Sequence, residues 1–259
     1  MDRLHGFRLA SQFCSSDTQE SFMAFFQENR GAREPFLNAP PAVLWLIALL
    51  LATHTARIFL PGNLPDDILE RYAFIPARYA MAVHQAVGSQ GFLDLVVPFI
   101  SYMLLHGDFT HVGLNSLWLL VFGPIVARRL GALRFVIFFV ICGIAAALVH
   151  LAVYWGSPMA VVGASGGVSG LMGAGMRILY GRMYGGPLGL APVTSRPIVA
   201  FSAVWMLANV ISGVLRIGVS DDLTLIAWVA HLGGYFAGLF LIGAFVADLV
   251  RRENPSTGG

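Results

Sequence analysis

The chain has 259 residues, 57% of them hydrophobic and only 12% charged, with a mean hydropathy of +0.72. This lies outside the range of a soluble globular domain and leaves room for a bundle of several membrane-spanning helices of about 20 residues each. The formal net charge of +2 comes without a long basic run, so nucleic acid is not expected as a partner.

Residues 1–40 are polar and mixed, ending in Asn38-Ala39-Pro40-Pro41, and read as a cytosolic N-terminal extension with a short helix near 21–27. They contain no short apolar run leading to a cleavage site, so no signal peptide is expected. Six apolar stretches follow, near 42–60, 109–127, 134–154, 163–181, 197–215 and 224–247. They define an all-α membrane domain over 41–250, with 251–259 as a C-terminal tail. The first connection, 61–105, carries Asp66, Asp67, Glu70 and Asp94 among apolar patches. Pro98 and the short apolar length favour a membrane-embedded or interfacial loop over a further span, and a connection this long usually carries function.

All 16 basic residues are arginine. With the N-terminus inside, twelve fall in inside segments, and only Arg57, Arg71, Arg78 and Arg216 fall outside. That asymmetry follows the positive-inside rule and predicts both termini in the cytoplasm. Cys14 lies in the polar extension and Cys142 in an apolar stretch, so no disulfide is expected, and no metal-ligand spacing is present.

Within the apolar stretches two polar residues stand out. Ser165 heads the fourth, in Gly163-Ala164-Ser165-Gly166, and His231 lies about seven residues into the sixth. Polar groups inside hydrocarbon-length segments are costly and are functional candidates by default. Serine with histidine is the minimal pair for nucleophilic acyl transfer. Both spans run from outside to inside under this topology, so the two residues fall at similar depth in the outer half of the bilayer. Gly166, Gly170 and Ala174 on one span, and Ala230, Gly234 and Gly238 on the other, form small-residue stripes that permit close helix approach.

A third polar group precedes the second span, in His106-Gly107-Asp108-Phe109-Thr110-His111-Val112-Gly113-Leu114-Asn115. His111 and Asn115 are four apart and share one helix face. Their N–H groups suit the oxygen that becomes negative when a serine attacks a carbonyl. Gly163 and the start of the fourth helix add backbone N–H groups and a favourable dipole.

Taken in order, these residues resemble the rhomboid intramembrane serine proteases. The resemblance rests on His106-x4-His111-x3-Asn115, on Gly163-Ala164-Ser165-Gly166 with Leu171-Met172-Gly173 behind it, on Ala230-His231-x-x-Gly234-x-x-x-Gly238, and on Arg129-Leu130-Gly131, together covering about residues 100–245. It implies a six-helix bundle with a membrane-embedded first loop. It also implies Ser165 as nucleophile and His231 as general base without an acidic third member. His111, Asn115 and the Ser165 N–H would be oxyanion donors, and His106 a structural or site-lining histidine. No metal or cofactor is implied. Substrates would be single-span membrane proteins, cut near the outer end of their helix after a small residue, in the inner (plasma) membrane. Three positions depart from the family pattern. Val97-Pro98-Phe99 stands where a Trp-Arg pair is common, Ala127 where an acid is frequent, and Ser169 where many members stack an aromatic on the histidine.

Blander readings compete at several positions. Gly167-Val168-Ser169-Gly170 also fits a G-x-S-G pattern, but Ser169 is one turn deeper and reads as a packing serine. Ser165 alone would read the same way; His231, His111 and Asn115 together favour catalysis. Asp108 reads as a helix cap, with a weaker reading as a third catalytic member. His54, His84 and His150 read as solvated or interfacial, and Asp221 and Asp222 as a solvated turn. The runner-up function is a catalytically inactive rhomboid-like protein that binds transmembrane helices. Such proteins typically lose the serine or the histidine, and both are present here. A transporter is disfavoured because neither inverted repeats nor charged midplane residues are visible.

Overall fold

The computed structural model describes residues 39–84, 91–184, 187–215 and 227–253. The expected helix near 21–27, Cys14, the turn at Asp221 and Asp222 and most of the C-terminal tail lie outside the described residues. In chain order the helices are α1 (Pro41–Ile58), α2 (Leu64–Tyr72), α3 (Pro76–His84), α4 (Phe92–Val96), α5 (Pro98–Ser101), α6 (Phe109–Leu130), α7 (Ala132–Val153), α8 (Ser165–Tyr184), α9 (Arg196–Leu215) and α10 (Ala227–Glu253). Among the described residues the fold is all-helical, and six long helices stand at the six apolar stretches.

Local chemistry explains several boundaries. Pro41 opens α1, where its missing N–H costs nothing. Asp108 caps α6 by accepting from the His111 backbone N–H at 2.7 Å. Gly131, with φ +78, ends α6 and turns the chain into α7, a conformation that a side chain would resist.

Among the described residues, five of the six long helices are apolar enough to cross a membrane: α1, α6, α7, α9 and α10. The exception is α8, which is rich in glycine and contains Arg177 and Arg182. Its interior position explains this, since Gly166 through Met176 are all buried. A helix screened from lipid by α6, α7 and α10 does not need an apolar exterior.

The close packing of α8 and α10 depends on missing side chains. A Cβ on Gly234 would run into the Gly166 carbonyl, and one on Gly238 into the Gly170 carbonyl. From the other side, a Cβ on Gly173 would sit 2.5 Å from the Tyr235 carbonyl oxygen. The two stripes therefore meet backbone to backbone.

The connection 61–105 contains no spanning helix among the described residues. It is built from α2 to α5 and a 3-10 turn, Tyr102–Leu104. Phe74 and Val161 exchange backbone bonds of 3.0 and 2.8 Å, which ties this loop to the segment just before Ser165. Tyr79 donates to the Leu95 carbonyl at 2.9 Å and Ser101 to that of Tyr72 at 2.7 Å. Phe74 packs edge-on against Phe99 at 4.9 Å. Aromatic packing and backbone bonds thus hold the loop in the absence of the Trp-Arg pair.

Two histidines expected at interfaces are instead buried. His54 is 1% exposed and His150 0%. His54 meets Phe109 edge-on at 4.8 Å, and His150 lies 4.9 Å from Tyr154. Each sits near a helix end in sequence but turns inward, toward aromatic rings of the bundle. The side chain of His84 is not described.

Candidate active site

The turn before α8 brings the polar residues together. Gly163 has φ +116, and a Cβ there would stand 2.7 Å from His111 Nε2 and 3.7 Å from Asn115 Nδ2. Only a glycine admits these two α6 side chains beside the turn that carries Ser165. The Gly163 N–H donates to the Tyr102 carbonyl at 2.9 Å, and the Ala164 N–H to His106 Nε2 at 3.4 Å. His106 is fully buried, and burial, followed by the neighbouring His111, pushes it down to about 3. It is therefore neutral at ordinary pH, and its Nε2 remains an acceptor.

The Val168 N–H makes the first turn's bond to the Ala164 carbonyl. The amides of Ser165, Gly166 and Gly167 belong to the first turn, where a helix supplies no internal partner. They lie at the helix N-terminus just after Gly163, the residue that faces His111 and Asn115.

Ser165 Oγ lies 2.8 Å from His231 Nε2. The other ring nitrogen, Nδ1, lies 2.8 Å from Oδ1 of Asn209 on α9. Asn209 Nδ2 in turn donates to the Trp205 carbonyl at 2.8 Å. Both Ser165 and His231 are partly exposed, whereas Ser169 is buried. At the head of α6, His111 Nδ1 faces the Gly107 N–H at 3.5 Å, which leaves Nε2 as the nitrogen turned toward Gly163. Asn115 Nδ2 donates to the His111 carbonyl at 3.0 Å and has a second N–H to offer. The Asp108 carboxylate is engaged as the α6 cap. Among the described residues, no three His, Cys, Asp or Glu side chains are grouped to hold a metal ion.

Ser165, His231, His111, Asn115, His106 and Gly163 thus converge on one site, and Gly166, Gly234 and Gly238 form the packing seam beside it. Asn209 escaped the reading of the sequence. The signal was present, since it is an amide inside the fifth apolar stretch, but nothing in the spacing paired it with a residue 22 positions away.

Together these features define a polytopic helical membrane protein with a serine hydroxyl bonded to an imidazole among its helices. A family profile for the rhomboid domain matches residues 94–248, more than half of the chain, and the chain belongs to the rhomboid family. It is similar to RHOMBOID-like protein 5 of Arabidopsis thaliana, with 25% identity over 222 residues, covering 78% of this chain and 67% of that protein. Membership makes it a multi-pass membrane protein related to intramembrane proteases and their inactive relatives.

Proposed function

We propose that this protein is an intramembrane serine endopeptidase that cleaves transmembrane segments of single-span membrane proteins. The observation that carries this reading is the 2.8 Å contact between Ser165 Oγ and His231 Nε2, with N–H donors beside it at the head of α8. The hydroxyl proton passes to Nε2 as Oγ attacks the scissile carbonyl carbon. The resulting oxyanion is held by His111 Nε2–H, an Asn115 N–H and the first-turn amide of Ser165. The tetrahedral intermediate collapses, the imidazolium gives its proton to the leaving amine, and an acyl-enzyme remains. Water, deprotonated by the same imidazole, attacks the ester and releases the acid, restoring the serine. His106 supports the turn by holding the Ala164 amide. The arginine distribution supports an orientation with both termini cytoplasmic; in an inner (plasma) membrane the serine then opens toward the outer side.

The test is cleavage of a single-span reporter substrate by the purified protein in proteoliposomes, with Ser165→Ala, His231→Ala and Ser169→Ala in parallel. Loss in the first two with retention in Ser169→Ala is the expected result. Loss in Ser169→Ala alone would transfer the role to that residue. A wild type that cuts no reporter and takes no fluorophosphonate label at Ser165 would make the protein an inactive, helix-binding relative.

A further inference from the structure

We propose that Asn209 is a positioning residue of the active site, fixing the tautomer and ring plane of His231. This rests on the protease reading above. The bonding admits one assignment of protons. Asn209 Nδ2 donates to the Trp205 carbonyl at 2.8 Å; a flipped amide would set two oxygens against each other there. Oδ1 therefore faces His231 Nδ1, 2.8 Å away, and a carbonyl oxygen can only accept. Nδ1 must carry the hydrogen, which leaves the Nε2 lone pair directed at the Ser165 hydroxyl. The imidazole is held as the tautomer that can act as base. As Nε2 takes the serine proton, the carbonyl dipole at Nδ1 favours the charge that develops on the ring.

The surroundings assign this task to Asn209. Ser169, one turn into α8, offers the ring no aromatic face. Helix α9 is otherwise the least embedded of the apolar spans, with 11% of its apolar window buried against 50% for α10. Yet Asn209 is only 6% exposed and turns inward at the catalytic ring. A second polar contact, Ser202 Oγ to Tyr235 OH at 2.7 Å, lies two turns along the same α9 face and braces α9 against α10. The titratable group that acts on His231 from α6 is His111; Asn209 and Ser165 bring no charge.

The experiment measures kcat, KM and the pH profile of reporter cleavage for wild type, Asn209→Leu and Asn209→Asp, with fluorophosphonate labelling of Ser165 as an independent readout. Asn209→Leu is expected to lower kcat by about 10- to 100-fold through misorientation of the base, with KM within about twofold and labelling slowed in parallel. Asn209→Asp keeps an acceptor at Nδ1, so it should recover most of the lost kcat. Its carboxylate favours the imidazolium, moving the acid limb of the profile to higher pH. Asn209→Leu with kcat within about twofold of wild type overturns the proposal. So does an equal loss in both variants with an unmoved acid limb, which is the behaviour of a packing residue. A wild type that neither cleaves nor labels overturns the protease reading itself, a result distinct from an active wild type indifferent to position 209.

Discussion

A single methyl group at Gly234 should separate Ser165 from His231 without touching either residue. Gly234 lies one helical turn beyond His231, and Gly166 immediately follows Ser165. In Gly234→Ala the new Cβ would fall 2.8 Å from the Gly166 carbonyl carbon and 3.2 Å from its Cα. Carbon atoms rest at roughly 3.5–4.0 Å, so α8 and α10 must part by about 1 Å at this level. No rotamer relieves the clash, because its other side is backbone. A 2.8 Å contact between Ser165 and His231 opened by that amount passes beyond hydrogen-bond range. A misplacement of that size costs about 10²-fold in rate, or roughly 2.7 kcal/mol of transition-state free energy. The assay is kcat for cleavage of a single-span reporter in proteoliposomes. Gly113→Ala serves as control, because a Cβ there meets nothing within 4 Å. If Gly234→Ala turns over within about threefold of wild type, the dyad does not depend on this seam and the reasoning fails.

His111→Ala and Asn115→Ala should each lower kcat by about 10²–10³; unchanged turnover in both would remove them from the oxyanion site. Activity should fall toward acid pH, because His231 must be neutral to accept the serine proton. His106 is pushed down to about 3 and stays neutral above that, so an acid limb at higher pH belongs to the base, and a kcat/KM that stays flat, with chemistry rate-limiting, down to the pH at which the protein unfolds would refute it. Tyr102→Phe removes the 2.8 Å bond from its hydroxyl to the Gly143 carbonyl, which keeps its backbone bond within α7. A loss of about 0.5–1.5 kcal/mol in stability is expected, seen as a lower unfolding temperature of the detergent-solubilised protein, with no change if the bond carries nothing.

How much of this site could be read in advance depended on whether its chemistry was local in sequence or only in space. The stripe Ala230, Gly234, Gly238 was legible because helical periodicity places every fourth residue on one face, and backbone contact with α8 follows from small size alone. His111 and Asn115 were legible for the same reason, and Asp108 because an N-cap acts within three residues. Asn209 was not, because its partner lies on another helix, and the connection between them sets neither rotation nor depth. His54 and His150 show a related failure. Position near a helix end suggested water, whereas the rotation of α1 and α7 turned both rings inward. The arginines show it again from the other side. Arg57 donates to the His106 carbonyl at 2.8 Å, and Arg177 to the carbonyls of Ala191 and Leu239 at 2.9 and 2.8 Å. Both were counted as topology signals, one on each side, yet both tie backbone within the bundle, so neither weighs for or against that charge asymmetry. Where burial hides a polar side chain, the sequence records its cost; the partner that offsets it appears only when the helices are rotated into place.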